Sequence, residues 1–220
     1  MATRSDVAGT IVNAAMNLAT TRGWRSLTLA AIATEAGLKL DRVHAEFPTK
    51  GAILAAFNHR IDAEMLKGAS DEEASVRDRL FDLLMRRFEA LTPHRAAIRA
   101  ILNDTFGDPL AALTGLCAVQ RSMSLTLEAA GTSASGPIGR LRTKALSVLY
   151  LRTLYDWLQI VDGNDERIMT QLDKALARAE RIATSMADRR TRWRERRHAR
   201  RPPEREADTG GAAEASEQPS

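Results

Sequence analysis

Apolar residues recur along this chain at helical rather than strand spacing. Val7, Ile11, Ala15, Leu18 and Ala19 fall on one face of a helix predicted over 5–21, which Gly23 ends. Thr28 is a good N-cap for a short second helix, Leu29 to Glu35, with Leu29, Ile32 and Ala33 turned inward. Gly37 supplies a left-handed turn, and a third helix follows from about Leu40 to Glu46. Pro48 breaks that helix, and Thr49 caps a fourth that runs to about Lys67 on the stripe Ile53, Leu54, Phe57 and Ile61.

Residues 68–76 are polar and acidic and read as a joint. Five further helices are predicted at roughly 76–91, 94–105, 109–130, 137–161 and 165–187, with Asp108-Pro109 and Gly136-Pro137 as start signals. The 109–130 stretch is apolar on most sides and is expected to lie centrally. The last helix is amphipathic, with Ile168, Leu172, Ala175, Leu176, Ala179, Ile182 and Met186 on one stripe. Residues 202–220 are rich in Pro, Gly, Ala, Ser and acids and read as disordered. The expectation is an all-α chain: a four-helix head at 1–67, a joint at 68–76, a helical ligand-binding and dimerisation body at 77–187, and a tail at 188–220. The stripes on 137–161 and 165–187 are long enough to predict a homodimer built on those two helices.

Composition agrees with helices packed on helices. Hydrophobic residues make up 44%, enough for a real core, while aromatics are only 5% and Ala and Leu dominate. No apolar stretch looks long enough to span a bilayer, and the first ten residues are polar. The single cysteine, Cys117, cannot form an internal disulfide; a cytoplasmic protein is expected. The net charge of +4 is unevenly spread. Residues 189–206 hold nine Arg against three Glu, whereas residues 1–60 hold seven basic and four acidic side chains. The head is therefore only mildly basic, and the high pI belongs to the tail.

Two short helices joined through a glycine describe a helix-turn-helix. The segments Leu27-Thr28-Leu29-Ala30-Ala31-Ile32-Ala33, Glu35-Ala36-Gly37-Leu38, Phe47-Pro48-Thr49-Lys50 and Ile53-Leu54 resemble the head of the TetR family of transcriptional regulators. Ile11, Ala14, Ala15, Leu18 and Gly23 also fall where that family places its first helix. The resemblance implies a TetR-like DNA-binding regulator with a ligand-responsive body, whose DNA contacts come from Thr28, Lys39, Leu40, Arg42, His44 and Lys50. The third helix departs from the family pattern. Lys39 stands where Ser or Thr usually caps, Asp41 where a small residue is common, His44 where a phosphate-contacting Tyr is typical, and Glu46 where a basic residue or His is common. Asp41 and Glu46 put like charge beside phosphates, unless one accepts from a cytosine amino group. Asp41 has a second reading, as a first-turn acid on the helix dipole.

The body invites another comparison. Arg77-Asp78-Arg79-Leu80, Leu84-Met85-Arg86-Arg87, Leu91-Thr92-Pro93-His94-Arg95, Leu127-Glu128-Ala129-Ala130-Gly131, Trp157-Leu158 and Leu172-Asp173-Lys174 resemble the lipid-binding accessory family of ubiquinone biosynthesis. That resemblance implies an isoprenoid-lipid-binding accessory protein that keeps the fold without specific DNA binding. An apolar small molecule or isoprenoid lipid would then sit between helices 109–130 and 137–161, near Met85, Leu113, Cys117, Met123, Tyr150 and Trp157; an ordinary bundle core is the alternative for the same residues. The four histidines are scattered, and no phosphate loop, nucleophile elbow or paired acids appear, so neither an enzyme, a cofactor nor a metal site is expected. The run RRTRWRERRHARR at 189–201 reads as a solvated extension of the last helix, or as a peripheral contact with nucleic acid or an anionic membrane.

Overall fold

A computed structural model describes residues 4–68, 73–105, 107–160, 166, 167 and 169–181. Eight α-helices are present among them: α1 (Arg4–Arg22), α2 (Leu29–Glu35), α3 (Leu40–Glu46), α4 (Lys50–Leu66), α5 (Val76–Leu91), α6 (Arg95–Thr105), α7 (Pro109–Ala129) and α8 (Gly136–Gln159). A 3-10 turn, Thr92–His94, joins α5 to α6, and residues 169–181 are helical. No strand occurs among the described residues. The expected Arg-rich tail and both ends of the 165–187 helix lie outside them.

Met1–Arg178 packs as one compact unit. Its core is continuous from Val7 through Phe57, Phe88 and Trp157 to Leu176. Local chemistry sets the helix ends. Thr28, Thr49 and Ser75 each place a hydroxyl on an orphan N–H in the first turn of α2, α4 and α5, and the Asp108 carboxylate serves two in α7. Gly139 on α8 is buried against the preceding loop; a Cβ there would come within 2.3 Å of Ala134 backbone atoms, so the tight α7–α8 hairpin requires glycine. Arginines from α6 close the other end of α8. Arg95 donates to the carbonyls of Trp157 and Ile160 and stacks over the Trp157 ring at 4.7 Å, and Arg99 donates to that of Leu158.

A buried polar cluster joins α4 to the later helices. Arg87 of α5, 2% exposed, pairs with Asp62 of α4 and donates through Nε to the Tyr150 hydroxyl of α8 at 3.1 Å. Ser122 of α7 donates to the same Asp62 carboxylate. One node thus touches four helices. Asp62→Ala would leave the Arg87 charge buried and unpaired, and is expected to cost about 3–5 kcal/mol. Replacing both partners together, Asp62→Leu with Arg87→Met, is expected to cost far less; chemical denaturation of the three proteins checks the order.

The 109–130 stretch does not lie centrally as expected. Only the second half of α7 is in the core, through Ser122, Met123, Thr126 and Leu127. Its first half projects Leu110, Leu113, Leu116 and Cys117 to the surface, with Leu110 72% exposed. The apolar circumference reflects two different surfaces rather than burial on all sides. By length and composition alone α7 is also apolar enough to cross a membrane, contrary to the sequence expectation, although its second half is a packed contact with α4 and α5.

His94 packs edge-on against Phe57 at 5.1 Å, and its Nε2 meets the Arg60 guanidinium at 3.3 Å. Burial, and then the Arg60 charge, lower its pKa below the usual histidine value. A depressed folded-state pKa means the unfolded chain takes up the proton first. The associated stability is present above the unfolded value of about 6.5 and is lost as pH falls through the folded one. Melting temperature should therefore drop on acidification below about pH 6.5, and His94→Gln should flatten that drop.

Candidate nucleic-acid interface

The helix-turn-helix is α2 and α3. At the end of α2 the Leu38 N–H reaches the Ala33 carbonyl at 2.9 Å and the Gly37 N–H that of Thr34 at 3.1 Å. Gly37 has φ 65°, and no neighbour would meet a Cβ there, so conformation rather than space demands glycine. Val43, fully buried, pins α3 to the core, with Phe47 just beyond its end. That leaves Lys39, Leu40, Asp41, Arg42 and His44 exposed on the outer side of α3, with Leu40 49% exposed. Five of the six expected contact positions, Thr28, Lys39, Leu40, Arg42 and His44, are open to solvent.

Lys39 provides no side-chain cap to α3, unlike Thr28 and Thr49 at their helices. Asp41 takes over part of that role, its Oδ1 accepting the Arg42 N–H at 2.8 Å. The dipole reading of Asp41 is thus the one with a visible contact. Its charge is still exposed beside Arg42, and is close to any phosphate that Arg42 would meet.

Lys50, the sixth position, is turned inward. Its Nζ donates to the carbonyls of Trp24 at 3.0 Å and Arg25 at 3.2 Å, and lies 5.7 Å from the Trp24 ring centre. Burial lowers its pKa, against the raising effect of Asp104. Sequence alone gives Lys50 its place at the start of α4, but the carbonyls it serves lie in the loop before α2.

The expected pocket residues are not assembled. Met123, Tyr150 and Trp157 are packed in the core, the last two against Phe88 with ring centres 5.7 Å apart; Met85 is half-buried. Leu113 and Cys117 are on the surface. A different cleft, of about 500 Å³, opens where α4 meets α5; charged side chains such as Arg60, Glu64, Arg86 and Glu89 line it together with the apolar Ile61 and Ala90. No group of three or more metal-ligating side chains occurs among the described residues.

These features define a helix-turn-helix protein of the all-α class. Residues 11–57 match the family model described as bacterial regulatory proteins, tetR family. Solved structures extend the likeness to the fold of the whole unit. A TetR transcriptional regulator from Nitrosomonas europaea ATCC 19718 superposes with a TM-score of 0.66 at 22% identity, over 79% of this chain and 97% of its own. A tetR-family regulator from Streptomyces coelicolor gives 0.62 at 17% identity over 93% of both chains. A TetR regulator from Rhodococcus sp. RHA1 gives 0.58 at 20% identity, over 80% and 96%. No curated protein matches the chain.

Removing the α3 acids should tighten any DNA complex. Asp41→Asn keeps an oxygen for the Arg42 N–H while deleting the charge, and Glu46→Gln is its counterpart at the helix end. Gel-shift titration should show the double variant binding a duplex several-fold more tightly than the wild type, with the larger share from Asp41→Asn.

Proposed function

We propose that this chain is a non-enzymatic, TetR-like transcriptional regulator that binds DNA through α3. The observation that carries the reading is the outer surface of α3, where Lys39, Arg42 and His44 stand exposed while Val43 is locked in the core. A scaffold that fixes a short helix by its inner face and offers cations on its outer face fits major-groove reading. The family match over residues 11–57 supports it. The alternative of an isoprenoid-lipid accessory protein gains no support, since the six residues chosen for its pocket are divided between core and surface.

The reading includes a homodimer. On α8 the exposed positions Ile138, Leu141, Ala145, Val148, Arg152 and Tyr155 follow one another at alternating steps of three and four. That heptad pattern is the seam of a helix pair, and an isologous contact between two copies would cover it. Leu172, by contrast, is buried within its own chain and cannot serve the partner. Placing Glu at Leu141 and Val148 together is expected to give a monomer by sedimentation with an unchanged circular dichroism spectrum. The function itself is tested by selecting bound sequences from randomised duplexes. An inverted repeat with half-sites one helical turn or a multiple apart is the expected product; recovery of no preferred sequence would contradict specific regulation.

A further inference from the structure

The last turn of α6 and the turn that follows it reach the α1–α2 loop and touch it at one point each. The Asp104 carboxylate accepts the Arg25 backbone N–H at 2.8 Å, and the Gly107 carbonyl accepts from the Arg25 guanidinium at 3.3 Å. Arg25 is in turn bound to Lys50, because its carbonyl and that of Trp24 hold the Lys50 ammonium. Asp104 also attracts that ammonium directly. Two cations of the head are thus drawn toward the α6–α7 turn. Both are close in sequence to DNA-facing positions: Arg25 lies three residues before Thr28, the exposed cap of α2, and Lys50 begins α4 just after α3.

We infer that Asp104 is a latch on the DNA-reading head: by fixing the Arg25 backbone it steadies the Arg25 guanidinium on the Gly107 carbonyl and the carbonyls that hold the Lys50 ammonium, and so keeps both cations in internal contacts rather than on phosphate. The inference rests on the DNA-binding reading and adds a positioning residue to it. Both cations are retained by hydrogen bonds to main-chain carbonyls, Arg25 in the open and Lys50 half-buried, and exchange for a phosphate oxygen competes with those bonds. Loss of the Asp104 carboxylate tips that competition toward DNA. A shift of the α6–α7 turn would do the same, so the turn's position sets how many phosphates the head can neutralise.

The latch predicts an unusual sign: deleting a structural contact should strengthen binding. Phosphate contacts are independent of sequence, so a mixed-sequence 30-base-pair duplex is a sufficient probe. Asp104→Ala should raise affinity several-fold and steepen the salt slope by about one for each cation released. Loss of a negative charge near DNA could raise affinity as well, and a double-mutant cycle separates the two. In an Arg25→Ala/Lys50→Ala background the latch predicts no gain from Asp104→Ala, whereas simple charge removal predicts the same gain as before. A persisting gain, or no gain in the wild-type background with the circular dichroism spectrum intact, overturns the latch. Hydrogen exchange provides a readout that needs no DNA: the Arg25 amide should exchange several-fold faster in Asp104→Ala, and unchanged exchange overturns the latch on its own. If the exchange result holds but neither protein binds any duplex, the DNA-binding reading has failed, and the inferred control of phosphate contacts falls with it.

Discussion

The buried pair between Asp62 and Arg87 is the constraint on which the arrangement of helices turns. Asp62 belongs to the helix that carries the head forward, and Arg87 to the first long helix after the joint. A guanidinium excluded from water must find a counter-charge and acceptors, and it finds them in only one register of α4 against α5. The Tyr150 hydroxyl and Ser122 complete the set from α8 and α7. Apolar contacts around the node, such as Phe88 on Tyr150 and Trp157, supply the non-directional share of the packing. The polar node fixes which packing is adopted, because a slipped helix would leave a charge unpaired.

Around that frame the chain uses the same chemistry repeatedly at helix ends. Threonine or serine hydroxyls and one aspartate serve the N-termini, and arginine guanidinium groups serve the C-terminal carbonyls of α8. Lys50 does for the α1–α2 loop what Arg95 and Arg99 do for α8. The pattern matters for function because a cation engaged with carbonyls is not free for phosphate. The head is only mildly basic to begin with, so on the proposed reading the engagement of Arg25 and Lys50 leaves the charge of the α3 surface to Lys39 and Arg42, opposed by Asp41. A head so balanced would bind DNA with modest strength and would respond to small changes in how its cations are held.

Much of the fold was legible in the sequence, and the reason is locality. The bounds of α2, α3 and α4 follow from Thr28, Gly37, Pro48 and Thr49, each acting within a few residues of its own position. The contact positions expected on α3 came from the resemblance to the TetR head, and in the structure Val43 is the buried position on that helix. What could not be read was partnership at long range. Helix α7 has an apolar circumference, but which side meets α4 and which is left open depends on helices far along the chain. The carbonyl partners of Lys50 and the partner of Asp62 are equally distant. A signal for the last did exist: Asp62 and Arg87 each interrupt an apolar stripe, between Ile61 and Met65 and between Leu84 and Phe88, and a charge in such a place needs a partner. The six residues expected near a pocket between α7 and α8 are divided between core and surface, since Met, Tyr and Trp at helical spacing describe a filled core as well as a cavity.

The central claim is that α3 carries DNA binding by its outer cations. Fluorescence anisotropy on a labelled duplex from the region flanking the chain's own gene, titrated at several salt concentrations, tests it most directly when the wild type is compared with Arg42→Ala. The account predicts that the logarithm of the affinity falls linearly with the logarithm of salt concentration, and that Arg42→Ala binds more weakly with a slope shallower by about one if Arg42 meets a phosphate, or with lost preference for that duplex if it meets a base. Absence of salt-dependent binding by the wild type, or equal affinity, slope and preference in Arg42→Ala, would contradict it.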